Sequence, residues 1–163
     1  MKVAIFSDIH DALPQLKQAL AQIRDTDALI CCGDFCSPFV MKALGEAYSR
    51  PIFAVLGNND GDPLLLAERA RAYGQIRLTP VFADFLLDGR RFAVIHYDSV
   101  ARPIIASGWY DVVCFGHNHQ YEVDREGKTL FINPGELSGV LTGRATFAIL
   151  DTETGSVEKK SLS

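Results

Sequence analysis

The stretch Lys2 to Asp34, KVAIFSDIHDALPQLKQALAQIRDTDALICCGD, decides the fold. Val3 to Phe6 is a short apolar run of strand length, and Leu13, Leu16, Leu20 and Ile23 follow at helical spacing before a second apolar run, Ala28 to Cys32. That order predicts a βαβ unit, whose two strands are parallel because the helix carries the chain back. Working outward, Ser37 followed by Pro38 predicts a helix start, with the serine as cap and the proline where no N–H is needed. Val40, Leu44 and Ala47 give that helix one apolar face, and Ile52 to Leu56 is the next buried strand. Asp62-Pro63 repeats the signal, with Leu66, Ala70 and Tyr73 as the inner stripe of a third helix.

From Val81 onward the pattern is that of antiparallel sheet. Asp88-Gly89 is a hairpin turn between Val81 to Leu87 and Phe92 to His96. A short helix is expected over Ser99 to Ser107, then a strand over Val112 to Phe115. Two further hairpins turn at Glu126-Gly127 and Thr154-Gly155. The sum is an α/β fold in which helices cover two packed mixed β-sheets, with polar residues gathered at one end.

Bulk properties narrow the function. The chain has 163 residues, 48% hydrophobic and 22% charged, enough for one core and too few for two ordinary domains, so residues 1–163 are expected to form a single domain. A net charge of −4 with scattered Lys and Arg argues against a nucleic-acid duplex as partner. No apolar run approaches the roughly 20 residues of a membrane span, and a cytoplasmic protein is expected. Cys31, Cys32, Cys36 and Cys114 lack paired Cys-x-x-Cys spacing and are expected to be thiols.

All four histidines, His10, His96, His117 and His119, fall in motifs that also hold Asp8, Asp34 and Asn58, each where an apolar run ends. Imidazole nitrogen and carboxylate oxygen are standard donors to Mn, Fe, Ni and Zn. Residues two apart in extended chain project to one side, so Asp8 with His10, and His117 with His119, each present a pair of donors. A carboxylate such as Asp34 can bridge two ions spaced about 3.5–4 Å apart. Gly33, Gly57 and Gly116 precede donors and are expected to let the backbone turn sharply and come close to the metals.

The order Asp-x-His, Gly-Asp, Gly-Asn-x-Asp, His, Gly-His-x-His resembles the calcineurin-like metallophosphoesterases over nearly the whole chain. With its small size and Asn133-Pro134-Gly135, the chain looks most like the compact prokaryotic phosphodiesterases and the related scaffold subunit of the retromer coat. The resemblance implies a four-layer αββα sandwich and two divalent metal ions, Mn first, with Ni, Fe or Zn as alternatives. It implies one ion on Asp8, His10, Asp34 and His119 and a second on Asp34, Asn58, His96 and His117, with Asp34, Asn58 and His117 central to catalysis. Two such ions, less two carboxylates and a hydroxide, leave a positive site that attracts a small phosphodiester and activates a water for in-line attack.

Three positions depart from the family pattern. Asn59 stands where many members have a histidine that protonates the leaving oxygen, which predicts a preference for stable leaving anions or a slower enzyme. Asp60 is expected to cap the turn into Asp62-Pro63. Tyr97-Asp98 follows His96 in place of glycine, so that Tyr97 either narrows the pocket or packs in its wall. Glu136 follows Asn-Pro-Gly where a small hydroxyl residue is usual, and facing the site it would repel an anion. Arg102 and Arg144 suit phosphate binding, but no motif fixes them, and solvent exposure is the expectation. The alternative function is a non-catalytic interaction scaffold on the same fold, for which eroded ligands are expected. A DNA nuclease fits less well without a basic groove. A homo-oligomer is compatible with the sequence.

Overall fold

The computed structural model describes residues 1–162. Strand β1 (Lys2–Phe6) alternates strictly: Ala4 and Phe6 pack toward helices, while Val3 and Ile5 face a second sheet. This two-sided burial is why the strand reads as a continuous apolar run. Helix α1 (Leu13–Gln22) returns the chain to β2 (Ala28–Cys31), which pairs parallel to β1 in the register Val3 to Ala28. Helix α2 (Pro38–Ala47), β3 (Ile52–Val55) and α3 (Pro63–Ala72) repeat the unit. Asp62 caps α3, its Oδ1 accepting from the Leu65 N–H at 3.0 Å. Ser37 precedes α2 but makes no capping bond, because its hydroxyl donates to Asp11 instead.

A further strand, β4 (Ile76–Thr79), pairs parallel to β3 and was not expected. It is a four-residue edge strand with only Ile76 buried, so it carries almost no apolar pattern. Next come β5 (Phe82–Leu87), β6 (Arg90–Ile95), helix α4 (Asp98–Ser107), β7 (Val112–Cys114), β8 (Tyr121–Glu126), β9 (Thr129–Pro134), β10 (Thr146–Asp151) and β11 (Val157–Ser161). The hairpins turn where expected, Asp88 and Gly89 both taking positive φ, as a tight two-residue turn requires.

The sheets run β11-β10-β1-β2-β3-β4 and β5-β6-β7-β9-β8. The second half is less antiparallel than its sequence suggests, since β6, β7 and β9 pair parallel. Helix α4 and the chain reversal through β8 supply those crossovers. The last hairpin leaves the second sheet altogether and adds β10 antiparallel to β1.

Three apolar layers hold the molecule together. Leu16, Leu20, Met41, Leu44 and Leu66 pack α1, α2 and α3 on the outer face of the first sheet. Ile5, Ile30, Val55, Val94, Val112 and Ile132 fill the space between sheets, where Phe53 stacks on Phe85 at 4.0 Å. Ala101 and Ile105 of α4 cover Val113, Phe115 and Phe131 on the far side. The architecture is therefore α/β with four layers, αββα, two mixed sheets flanked by helices.

Candidate metal centre

Parallel strands place their carboxyl ends on one rim, and in open α/β sheets that rim is where ligands bind. Here Asp8 and His10 follow β1, Asp34 follows β2, Asn58 follows β3, His96 follows β6, and His117 and His119 follow β7. Backbone bonds lace these loops together: the Ile9 and His10 N–H groups both donate to the Asp34 carbonyl at 3.0 Å, and Gly116 N–H donates to the His96 carbonyl at 3.0 Å.

Asp8, His10 and His119 form one close group, and Asp8, Asp34 and His96 a second, the donor atoms of each lying within 4.8 Å of one another. His119 Nε2 is 3.3 Å from Asp8 Oδ1, and His10 Nε2 is 3.7 Å from it. One oxygen, Asp34 Oδ2, lies 3.5 Å from both His10 Nε2 and His96 Nε2, so it stands between the two groups. Asn58 Oδ1 reaches to 3.0 Å from His96 Nε2. The His117 ring packs edge-on to His96 at 5.1 Å, next to the second group, and its backbone N–H donates to Asp8 Oδ2.

Second partners fix which nitrogens face inward. His96 Nδ1 is 2.7 Å from the Cys32 carbonyl, which only accepts, so Nδ1 carries the proton and Nε2 turns its lone pair toward Asp34 and Asn58. His119 Nδ1 donates in the same way to Glu136 Oε2 at 2.9 Å. Asp8 Oδ1 and His10 Nε2 are buried with no hydrogen-bond partner among the described residues. Buried polar atoms without partners are costly, and several lone pairs aimed at one point are what a cation satisfies. Donors about 2.0–2.2 Å from a shared ion sit roughly 3–3.5 Å apart, close to the spacings here.

Ionisation follows the same geometry. Burial opposes the charge on Asp34, but the neighbouring His96 and the bonds from the Asn59 backbone and side chain outweigh it and hold the carboxyl far below its usual range. The neighbouring Asp8 carboxylate raises the His10 pKa against burial, and Asp34 does the same for His96, where burial is the largest opposing effect.

Several sequence expectations change. Glu136 does not face the site as a free charge: it is fully buried, and its oxygens accept from His119, Ser138 Oγ, the Leu141 and Thr142 N–H groups and Thr142 Oγ1. Those donors, against the opposing effect of burial, hold its pKa near 2. Asp60 does not cap the following turn. It accepts from the Gly57 and Asp34 N–H groups with one oxygen and from Cys36 N–H with the other, bracing the Asp34 loop. Asn59 donates its backbone N–H and its Nδ2 to the two Asp34 oxygens, each at 2.8 Å. Tyr97 packs edge-on to both His96 and His117, at 5.3 and 5.0 Å, so the wall reading holds.

The glycines divide. Gly33 turns at φ +98°, whereas Gly57 and Gly116 are absent from the positive-φ residues and serve only the close approach. A Cβ on Gly57 would strike Asp34, and one on Gly116 would strike Ser7 Oγ and Asp8. Positive φ falls instead on Asp8, His10, Asp34, His117 and His119 themselves. Non-glycine residues rarely adopt it, and it concentrates where function demands it. Asp and His are among the types that adopt it more readily, but residue type alone does not mark these positions. Asn133 was also missed as a brace: it is fully buried and its Nδ2 donates to the Gly116 carbonyl and to Asn118 Oδ1, holding the loop of His117 and His119.

Cys31, Cys32 and Cys114 are buried thiols, and Cys36 Sγ sits 3.4 Å from His10 Nδ1. Arg102 is bound to Glu122 at 2.5 and 3.0 Å, while Arg144 is exposed. Among the described residues no helix is long and apolar enough to cross a membrane.

Known proteins share this sequence and fold. The chain is 40% identical over 157 residues, 94% of each sequence, to a phosphodiesterase of Methanocaldococcus jannaschii. Its structure superposes on that of an archaeal phosphodiesterase with a TM-score of 0.93, at 37% identity, covering 99% of this chain and 100% of the other. Vps29 from Entamoeba histolytica shares the fold at 15% identity, with a TM-score of 0.71 and full coverage of both chains. A model of the calcineurin-like phosphoesterase superfamily domain matches residues 1–155, and the chain belongs to that superfamily.

Proposed function

We propose that the protein is a metal-dependent phosphodiesterase, with one divalent cation on Asp8, His10, Asp34 and His119 and a second on Asp34, Asn58, His96 and His117. The observation that carries this is the convergence of lone pairs without protein partners, Asp8 Oδ1 and His10 Nε2 above all. The similar archaeal phosphodiesterases support the reaction class. Mn is the ion proposed, and the mixed nitrogen and oxygen donors also accept Ni, Fe or Zn. When bound, such a pair lowers the pKa of a water and stabilises charge on a phosphoryl group.

The chain's own residues do the rest. Asp34 presents Oδ2 to both donor groups, and Asn59 fixes its angle by holding both oxygens. Asn58 adds an oxygen without adding charge. Cys32 and Glu136 keep His96 and His119 in the tautomer whose Nε2 faces inward. His117 and Tyr97 wall the side of His96. Asn59 has no proton to give a leaving oxygen, so the departing group must be a stable anion, which favours activated diesters.

The test is hydrolysis of bis(p-nitrophenyl) phosphate by the Mn-loaded protein. Turnover that Asp8→Ala and His117→Ala both abolish is expected; no turnover, or turnover indifferent to these changes, rejects the proposal. The scaffold reading predicts lost ligands, whereas all seven positions carry suitable donors.

A further inference from the structure

A cavity of about 460 Å³ opens beside the donor groups, between β8, β11 and the loop entering β10. That volume lies within the roughly 300–1,000 Å³ common for small-molecule sites, although the lining here is polar where most are apolar. His119 is the shared wall. It lines the cavity, while its Nε2 faces Asp8. Arg144 and Lys159 supply two cations, and Thr142 and Tyr121 complete the nearby surface. Among the described residues no carboxylate lines the cavity, and neither Arg144 nor Lys159 joins an ion pair.

In a chain with an excess of four negative charges, two free cations in a hollow without acids are a local reversal of sign. Lys159 Nζ is held 4.4 Å over the Tyr121 ring, which keeps it at the wall. Glu136 sits behind that wall with its oxygens taken by His119 and the Ser138–Thr142 loop, so its charge does not project into the space. Arg102, the other candidate from the sequence, is neutralised by Glu122.

We infer that this cavity is a second anion subsite, and that the substrate is a phosphodiester bearing a phosphomonoester on the ester arm that lies over His119. This rests on the phosphodiesterase reading for its substrate but not for its binding. Two cations recognise such a group by charge-assisted bonds, each worth about tenfold in affinity.

The matched probes are thymidine 5′-(p-nitrophenyl phosphate) and the same ester carrying a 3′-phosphate. With the Mn-loaded full chain, kcat/KM is expected to favour the 3′-phosphorylated ester at least about tenfold. In the Arg144→Gln, Lys159→Gln double variant that ratio is expected to fall toward one. Because the ratio is taken within each protein, losses in folding or metal loading cancel. A second readout needs no turnover: calorimetry on the metal-free chain compares thymidine 3′,5′-bisphosphate with thymidine 5′-monophosphate. Without metals the cluster of Asp8 and Asp34 repels phosphate, so tighter binding of the bisphosphate, lost in the double variant, reports the subsite. Equal ratios and equal binding in the native chain overturn the inference, as does a preference that survives in the double variant. Failure to hydrolyse either ester rejects the phosphodiesterase reading alone, and the calorimetry still decides the subsite.

Discussion

His119 donates its Nδ1–H to Glu136 at 2.9 Å, and through that carboxylate an imidazole whose Nε2 faces Asp8 is tied to the loop that walls the neighbouring cavity. Outer partners of this kind commonly weaken metal affinity 10- to 100-fold when removed. Glu136→Ala is expected to lower affinity for Mn by about that factor. It should also cost about 1–3 kcal/mol of stability, because buried donors lose their acceptor. Glu136→Gln, which keeps one acceptor oxygen, should lose less on both measures. Metal titration by calorimetry and urea unfolding check the pair of effects.

Asn59 combines two consequences in one residue. Asn59→Ala removes a bond to Asp34 and should lower kcat on activated diesters. Asn59→His offers a proton to the leaving oxygen, an effect worth about 10²–10⁴ for poor leaving groups. The ratio of alkyl to aryl diester hydrolysis should therefore rise in the histidine variant even if both rates fall. Leaving-group dependence measured with a series of phenol and alkyl esters tests this.

In the proposed metal sites, protons compete with metal at His10 and His96. Both pKa values are raised in the metal-free protein, His10 mainly by the neighbouring Asp8 carboxylate and His96 by Asp34 against burial. A raised folded pKa stabilises fully below the unfolded value of 6.5 and is lost as pH rises through the folded value. Metal affinity moves the other way, since these ligands must first lose protons. The gain in Tm on adding Mn is thus expected to be larger at pH 8 than at pH 6, read by thermal unfolding with and without metal. A gain that shrinks with pH contradicts the assignment.

Gly116→Ala places a Cβ against the side chains of Ser7 and Asp8, both fully buried. The overlap should cost about 1–3 kcal/mol. It should also displace Asp8, so metal affinity falls along with the urea midpoint. Gly127→Ala is the control: nothing lies within 4 Å of its Cβ, and only the turn's positive φ opposes it.

Thiol chemistry should rank by burial. Cys31, Cys32 and Cys114 are fully buried, and burial raises their pKa values, so they should resist thiol reagents until the protein unfolds. Cys36 is only half-buried, and burial with the charge of Asp11 pushes its thiol up to about 11. One slow equivalent at neutral pH is expected, faster as pH rises. A rapid reaction at several cysteines counts against the packing described.

The sequence by itself determined the layering and the chemistry of the rim. Runs such as Val3 to Phe6 and Ala28 to Cys32 are apolar on both faces because they are covered on both, and the donors stand at strand ends because that is where a buried chain first meets open space. β4 escaped because an edge strand buries one residue and leaves no period to read. Only the tertiary structure decided the outer supports. Glu136, Asn59, Asp60 and Asn133 each act on partners 15 to 26 residues away in sequence, apart from closer loop contacts, and their roles depend on which way a carboxylate or amide points. Residue type fixes what a group is able to bond. Its bonding partner is set by packing between loops that the sequence leaves far apart, and so a carboxylate that would repel substrate if it faced the site is instead the anchor of a histidine.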